Sequence, residues 1–205
     1  MQHSTSFRSV AIGAAVAAAL AVSSGCSSSP DAKSTVDSMS AFGNETAKAK
    51  DSIDNTIKAL ETLVGTQASD VKANFDAYAK SVTALDEQAQ VVRANAEKMR
   101  ANGDAFFKEW EGSTSVSPER RADLSAAYSR IAEDMAVAKE AFTPFLASLK
   151  DIQSYVGLDL SAKGIDSVTP LVKKAKDTGT DVKSRIDAVL VQLNSVRGML
   201  STTSG

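Results

Sequence analysis

The chain has 205 residues, of which 43% are hydrophobic, 23% charged and only 5% aromatic, with one Cys and one His. Its formal net charge is −2, and charges of both signs are interspersed along the chain. A nucleic-acid-binding protein would carry a basic face and a high pI, so this composition excludes nucleic acid as a partner. The charge content is ordinary for a folded protein and favours neither a disordered chain nor a multispan membrane protein.

Residues 1–25 are typical of a cleaved export signal, in which Arg8 precedes an uncharged, Ala-rich run over 10–22. A helix that spans a bilayer needs about 20 apolar residues, and this run is shorter. The segment that ends in Cys26 resembles a bacterial lipoprotein cleavage box, although Ser23 stands where that box usually has Leu. We therefore expect lipid attachment, including palmitate, at Cys26. The alternative is a plain secretory signal that leaves one free thiol.

The residues after Cys26 predict where the anchored protein would reside. Ser27 follows the Cys, whereas Asp is the usual signal for retention in the inner membrane. We expect an outer-membrane lipoprotein that faces the periplasm, because several acyl chains make a stable anchor. Residues 26–34 are predicted to form a polar tether.

Beyond the tether, apolar side chains follow a helical repeat and no strand repeat competes with it. Three segments alternate steps of four and three residues without a break, over 71–110, 124–156 and 165–200. The first segment is weaker, because Gly43, Thr46 and Lys50 occupy stripe positions, and fraying is expected near Gly43. Its other stripe positions are Val36, Met39, Ile53, Ile57, Leu60 and Val64.

Local signals divide the chain into helices over about 36–64, 70–111, 118–156, and 162–168 plus 170–200. Ser69 is predicted to cap the second helix, and Ser117-Pro118 combines a cap with proline at the first helical position. Thr169-Pro170 repeats that signature, which favours a short helix followed by a long one, with one kinked helix as the alternative. Pro144 predicts a kink in the third helix.

Short connections between long helices require antiparallel neighbours. The sequence therefore predicts an all-α fold, an elongated antiparallel four-helix bundle or coiled coil over 35–200, followed by a disordered tail over 201–205. A heptad helix of 40 residues would be about 60 Å long.

Residues that could support catalysis are scarce. His3 lies in the predicted signal, so the mature chain has no imidazole for a triad, a haem or a di-iron site. The chain shows no phosphate-binding loop and no metal motif. We expect no enzyme, no cofactor and no metal. Four carboxylates could meet at one end of the bundle and hold Ca²⁺, but a solvated charged face is the favoured interpretation. These are Asp104, Glu109, Glu111 and Asp134.

The largest aromatic concentration is the segment 106–111. A plug that closes one end of the core is the favoured interpretation, and an anchor for a partner protein is the alternative, since Trp among charges is a common hot-spot composition. The candidate partner-binding residues are Phe107, Glu109, Trp110 and Glu111.

This segment resembles the Phe-x-Glu-Trp-Glu motif of an uncharacterised bacterial lipoprotein family with coiled-coil character, catalogued as domain of unknown function 2959. The likeness continues through Leu124, Tyr128, Pro144 and Leu160, and covers nearly the whole mature chain. The family has Leu-Lys-His-Asn-Leu-Asn-Ala after the third helix, whereas this chain has Val-Gly-Leu-Asp-Leu-Ser-Ala over 156–162. The resemblance implies a shared scaffold and transfers no functional residue.

Two functions are consistent with these patterns. The first is a structural or adaptor bundle, attached to the membrane through Cys26 and bound to an unknown envelope protein. The alternative is a non-enzymatic carrier of an apolar ligand, for which Gly103, Gly179 and the alanines of the stripes would leave room between helices.

Overall fold

The computed structural model of the protein describes residues 32–65, 70–111 and 117–201. Nearly all of these residues belong to four helices: α1 (Ala32–Val64), α2 (Val71–Glu111), α3 (Pro118–Leu158) and α4 (Ala162–Ser201). No strand occurs within these ranges. At 1.5 Å per residue the three longer helices each extend about 60 Å, which confirms the predicted all-α bundle.

The helices form a ring in which each helix contacts its neighbours in chain order and α1 closes the ring against α4. Consecutive helices run antiparallel. The most extensive contacts join α1 to α2 and α3 to α4, whereas α2 and α3 contact each other least. The bundle is therefore two tightly packed helical hairpins, and the face between α2 and α3 is its loosest side.

Side-chain caps determine where α3 and α4 begin. Ser117 Oγ accepts a hydrogen bond from the backbone N–H of Arg120 (3.3 Å), and Pro118 occupies the first turn, as predicted. Ser161 caps α4 in the same way, because its Oγ accepts from the backbone N–H of Gly164 (3.2 Å). The cap predicted at Ser69 lies outside the described residues.

Neither internal proline divides its helix. α3 continues through Pro144, and α4 continues through Pro170 as one helix. α4 is therefore one continuous helix, which was the alternative to the break that the sequence favoured at Thr169-Pro170. Ile165 and Val172 are buried on either side of Pro170, so packing offsets the backbone hydrogen bond that proline removes. The kink at Pro144 stays a prediction.

The predicted apolar stripes face the core, most completely in α4, where every stripe position from Ile165 to Leu200 is buried. In α2 and α3 only the ends of each stripe are buried. The half-buried positions in the middle are Ala89, Val92 and Ala96 of α2, and Met135, Ala138 and Phe142 of α3.

The register predicted for α1 is wrong at every second position. Val36, Gly43, Lys50, Ile57 and Val64 were assigned to the core side and are only half-buried. The residues one position earlier are buried instead, namely Thr35, Phe42, Ala49, Thr56 and Leu63. Hydropathy favoured Val36 over Thr35 and Ile57 over Thr56, whereas Phe42 and Ala49 are themselves more apolar than Gly43 and Lys50. Thr56 can be buried because its hydroxyl donates to the Ser52 carbonyl of the preceding turn. The helix is also continuous through Gly43, where fraying was expected.

The buried side chains form two clusters, which define two halves of the bundle. The closed half holds the α1–α2 and α3–α4 connections, and its core includes Tyr78, Phe145 and Leu149. The open half holds the start of α1, the α2–α3 connection and the end of α4. Its core includes Met39, Met99, Leu124, Ile131 and Val196.

Candidate functional site

α2 and α3 separate over the middle of the bundle and along the open half, which leaves a groove of about 800 Å³. Small-molecule sites typically have volumes of about 300–1,000 Å³. The walls consist of α2 between Ala89 and Glu111 and of α3 between Ser125 and Phe142, and α1 and α4 supply the floor. The lining is mainly apolar, and charged side chains lie along the mouth.

Small side chains on facing walls account for the gap. The groove is lined by Ala89 and Ala96 from α2, and by Ala132, Ala136 and Ala138 from α3. A methyl group does not reach across to the opposite helix, so the two walls lack the contacts that dense packing would give. In the closed half, aromatic and leucine side chains fill the same two faces.

Two tyrosine hydroxyls join α2 to α3 and bracket the central part of the groove. In the closed half, the Tyr78 hydroxyl donates a hydrogen bond to the Leu149 carbonyl (2.8 Å). In the open half, the Tyr128 hydroxyl donates to the Arg100 carbonyl (3.2 Å). One contact runs from α2 to α3 and the other from α3 to α2. Together they hold the two helices near each other in the closed half and at a point midway along the groove.

Both tyrosines are protonated at neutral pH and act as hydrogen-bond donors. Burial raises the pKa of Tyr78. Burial of the ring, together with the Asp104 carboxylate, raises the pKa of Tyr128 to about 12. The charged phenolate is disfavoured in both places because each ring is withdrawn from water.

The room predicted at Gly103 and Gly179 does not exist. A Cβ atom on Gly103 would overlap the Tyr128 ring, and one on Gly179 would lie 2.6 Å from Ile57 Cδ1 and 3.0 Å from Phe145 Cε2. These glycines permit close packing. The open volume is found instead at the alanine positions that the same hypothesis named.

The floor of the groove contains one polar side chain that stands out. Thr46 is 4% exposed, and its Oγ1 has no hydrogen-bond partner within the described residues. By contrast, the Thr56 hydroxyl on the same helix donates to Ser52 O (2.8 Å) and contacts Ser81 O (3.2 Å). A buried hydroxyl without a partner costs about 1–3 kcal/mol. The other floor residues are Phe42, Ala49, Val182, Ile186 and Val189.

Charged side chains line the mouth unevenly. Arg100 and Asp104 pair with each other at 3.9 Å. Arg93 of α2 and Lys139 of α3 also line the groove, and neither forms an ion pair within the part of the chain that the structure describes. The remaining charged lining residues are Glu97, Lys108 and Glu111.

The aromatic segment 106–111 packs against itself and against α3. The rings of Phe106 and Trp110 have centroids 5.2 Å apart, and the Phe107 ring lies 4.8 Å from that of Tyr128. These contacts place the aromatic segment against the core of the open half, as expected for the favoured interpretation of a plug.

The four candidate partner-binding residues are only partly together. Phe107 and Glu111 line the groove and also an adjoining pocket of about 260 Å³, which Trp110 lines too. Glu109 is exposed and lines neither. Arg121 donates to the backbone carbonyls of Trp110 (3.2 Å) and Glu111 (3.1 Å) and so satisfies the end of α2. A partner-binding role for these residues stays a prediction.

Cys26, the predicted signal and residues 26–31 of the tether lie outside the described residues. None of the four helices has an apolar stretch long enough to cross a bilayer. Across residues 32–65, 70–111 and 117–201, no three His, Cys, Asp or Glu side chains gather in a way that would hold a metal ion. The carboxylates weighed for Ca²⁺ are therefore separate charges.

Sequence reasoning missed Thr46, Arg93 and Lys139 as residues of a common site. The available signal was size rather than polarity: the α2 stripe carries Ala89 and Ala96, and the facing α3 stripe carries Ala138. That pattern predicts a gap once the two stripes are known to face each other, and only the structure provides that pairing.

The protein is thus an elongated antiparallel four-helix bundle with a mainly apolar groove on one side. A family model described as "Protein of unknown function (DUF2959)" matches residues 32–199, so the chain belongs to this family. The match confirms the resemblance drawn from the Phe-x-Glu-Trp-Glu segment. Neither a curated protein nor a solved structure matches the chain.

Proposed function

We propose that this protein is a lipid-anchored, non-enzymatic bundle of the cell envelope that binds an apolar ligand in the α2–α3 groove. The groove itself carries the proposal, because its volume of about 800 Å³ is too large to be a packing fault and its walls are mainly apolar. Natural interiors contain few voids larger than a water molecule.

The position of the proposed anchor supports the same function. Cys26 precedes Ala32 by six residues, and Ala32 packs on the core of the open half. Six extended residues reach at most about 20 Å. A lipid on Cys26 would hold the open half, and with it the groove, close to the membrane surface. A ligand could then pass between the bilayer and the groove over a short distance.

Lipid analysis of the purified protein tests the proposal. Organic-solvent extracts of the full chain carrying Cys26→Ser, which removes the anchor lipid from the count, should contain a stoichiometric apolar molecule by mass spectrometry. Ala96→Phe fills the groove and should abolish that molecule. Ala101→Phe, on the exposed side of α2, is the matched control and should retain it. A clean extract with no binding of added lipid would overturn the proposal.

The anchor has its own test. Intact mass and membrane fractionation of the wild-type protein should show acylation at Cys26, and Cys26→Ser should release the protein from membranes. An unmodified thiol in a soluble protein would contradict the anchor and leave binding in the groove unaffected.

An adaptor function is the second candidate, because apolar side chains are exposed at the closed end. Leu158 is 87% exposed and Tyr155 60%, and Leu160, two residues further along the chain, is 37% exposed. Exposed apolar patches mark interaction surfaces. Crosslinking in membranes should capture an envelope protein, and Tyr155→Ser with Leu158→Ser should lose it. Val191→Ser, at an exposed valine of α4, should not.

A further inference from the structure

We infer that the groove binds a lipid with one extended acyl chain and an anionic head group, with the head group held between Arg93 and Lys139 above Thr46. This inference rests on the proposed function and names the class of ligand. Three independent observations support it: the dimensions of the groove, the placement of two cations, and the unpartnered hydroxyl on the floor.

The length of the groove suits a single acyl chain. Asp86 pairs with Lys150 across the α2–α3 face (2.7 Å) and marks the closed end of the gap. From Arg93, where the head group is placed, to Glu111 at the far end of the α2 wall, α2 rises about 27 Å. The acyl chain of one bilayer leaflet spans half of a hydrocarbon core of about 30 Å, or about 15 Å. One such chain fits between Arg93 and the open end of the groove.

The width of the groove argues against a helical peptide. Along its whole length, from Ala89 to Glu111, α2 rises about 33 Å. A volume of about 800 Å³ over that length corresponds to a mean cross-section of about 24 Å². A helix with side chains is about 10–12 Å wide and so has a larger cross-section than the groove. The groove is a narrow channel for an extended chain.

Arg93 and Lys139 face each other across the groove. Gly103 of α2 is in contact with Tyr128 of α3, and the two helices are antiparallel. Arg93 lies ten residues before Gly103, and Lys139 lies eleven residues after Tyr128. Both are therefore about 15–17 Å from that contact in the same direction. Two cations at one level on opposite walls raise the positive potential at that level of the mouth.

Charges elsewhere along the mouth do not create a second cationic level. Glu97 lies one turn from Arg93 toward the open end, and beyond it Arg100 pairs with Asp104. Lys108 and Glu111 then add one charge of each sign. The closed-half end of the groove is accordingly where an anionic head group is best accommodated.

Thr46 places a polar group on the floor near the same end. Gln88 Nε2 donates to Glu45 O (3.0 Å), which sets the start of the α2 wall beside Thr46. Gln88 precedes Arg93 by five residues, or about 8 Å along the axis. The free hydroxyl can donate to an oxygen of the head group or of its ester. Toward the open half the lining turns apolar, with Met99, Ile131, Met135 and Phe107 along the path of the chain.

Paired fluorescent probes test the head group separately from the chain. The full chain carrying Cys26→Ser should bind cis-parinaric acid, a long-chain carboxylate, about tenfold more tightly than parinaryl alcohol, which has the same chain and no charge. Added salt should reduce the difference, because the cations lie at the mouth. Arg93→Gln combined with Lys139→Gln should abolish the preference and leave the affinity for the alcohol unchanged. Lys98→Gln, an exposed position of α2 outside the groove, is the control.

The outcomes separate this inference from the proposed function. Equal affinities for the acid and the alcohol, or a preference that survives the double substitution, would overturn the anionic head group while binding in the groove stands. Failure to bind either probe would overturn both. Thr46→Val should weaken binding of the acid about threefold to fivefold, and an unchanged affinity would remove the hydroxyl from the site.

Competition identifies the source of the head group. Displacement of cis-parinaric acid by a single-chain phosphatidylglycerol indicates a phospholipid, and displacement by palmitate alone indicates a free fatty acid. Both results support an anionic single-chain lipid. Equal displacement by single-chain phosphatidylcholine, which is zwitterionic, would contradict it.

Discussion

The closed and open halves of this bundle share one heptad pattern and pack differently. In the closed half, Tyr78, Phe145 and Leu149 are fully buried, and all four helices contribute to the core. In the open half, the stripe positions Ala89 and Ala96 are only half-buried, because α2 and α3 stand apart. The stripe of α4 is buried along both halves. The pattern thus decides which side of each helix faces inward, and the size of the side chains decides whether two facing helices meet.

The α1–α4 and α2–α3 seams join the two helical hairpins, and they also differ in how closely their helices approach each other. Three ion pairs join α1 to α4: Lys50–Asp187 (2.6 Å), Lys183–Asp54 and Lys176–Glu61. Among the described residues, the α2–α3 seam has one, Asp86–Lys150. Exposed pairs contribute about 0–1 kcal/mol each, so they mark the close approach of α1 and α4 more than they cause it.

Truncating two neighbouring phenylalanines should give the largest contrast between the halves. The rings of Phe142 and Phe145 are 6.2 Å apart, yet Phe145 is fully buried and Phe142 lines the groove. Phe145→Ala should lower the free energy of unfolding by about 3–5 kcal/mol, because it leaves an enclosed cavity. Phe142→Ala should cost less than half of that, since its ring already borders open space. Denaturant unfolding measures both, and equal losses would contradict the division into halves.

Gly103→Ala, which adds one methyl group, should have the next largest effect on the free energy of unfolding. The new Cβ would displace the rigid Tyr128 ring and break its hydrogen bond to Arg100. We expect a loss of about 1–3 kcal/mol by denaturant unfolding. Gly198→Ala is the control, because no atom lies within 4 Å of a Cβ there, and it should stabilise the protein by about 0.4–1 kcal/mol. A stabilised Gly103→Ala variant would show that Tyr128 does not hold the helices together.

Two threonines of α1 should respond to the same substitution with opposite signs. Thr56→Val removes a hydroxyl that bonds to Ser52 O and should destabilise the ligand-free protein by about 1 kcal/mol. Thr46→Val removes a buried hydroxyl without a partner in the described structure and should stabilise it by up to about 1 kcal/mol. Thermal unfolding of delipidated protein compares the two. Destabilisation by Thr46→Val would indicate that the hydroxyl is satisfied without a ligand.

Raising the pH should have the smallest of these effects on the free energy of unfolding. The folded state holds the Tyr128 proton with a pKa of about 12, against an ordinary value of 10.0. The stabilisation is therefore fully present below pH 10.0 and is lost as pH rises toward 12. Lysine deprotonation affects the wild type and Tyr128→Phe alike, so the difference between their unfolding free energies should shrink across that window. A constant difference would contradict the assignment.

Much of the fold could be predicted because helix boundaries and stripes are local. The end of α2 at Glu111, the cap at Ser117 and the buried stripe of α4 depend on neighbouring residues and on a period of 3.6. α1 could not be placed the same way. Its core includes Thr35, Ala49 and Thr56, whose burial depends on what surrounds them and not on their own hydropathy.

The candidate site was only partly accessible from sequence. The aromatic segment 106–111 was identified as a unit, and the structure places Phe107 and Glu111 on the groove. Thr46, Arg93 and Lys139 carry no common sequence signal, because they lie on three helices and far apart in the chain. The prediction that Gly103 and Gly179 leave space for a ligand between helices was wrong. A missing side chain also allows a neighbouring residue to approach more closely.

The Phe-x-Glu-Trp-Glu segment indicates the family. The sequence also predicts the all-α class, the antiparallel order of the four helices and the inward side of α2 to α4. These follow from periodicity, capping and short connections, which act within a few turns of helix. Packing between helices separates α2 from α3 while α1 and α4 meet. It also places Thr46, which has no hydrogen-bond partner among the described residues, and two cations around the resulting groove. That outcome depends on the summed volumes of side chains from separate helices, which no single stripe encodes.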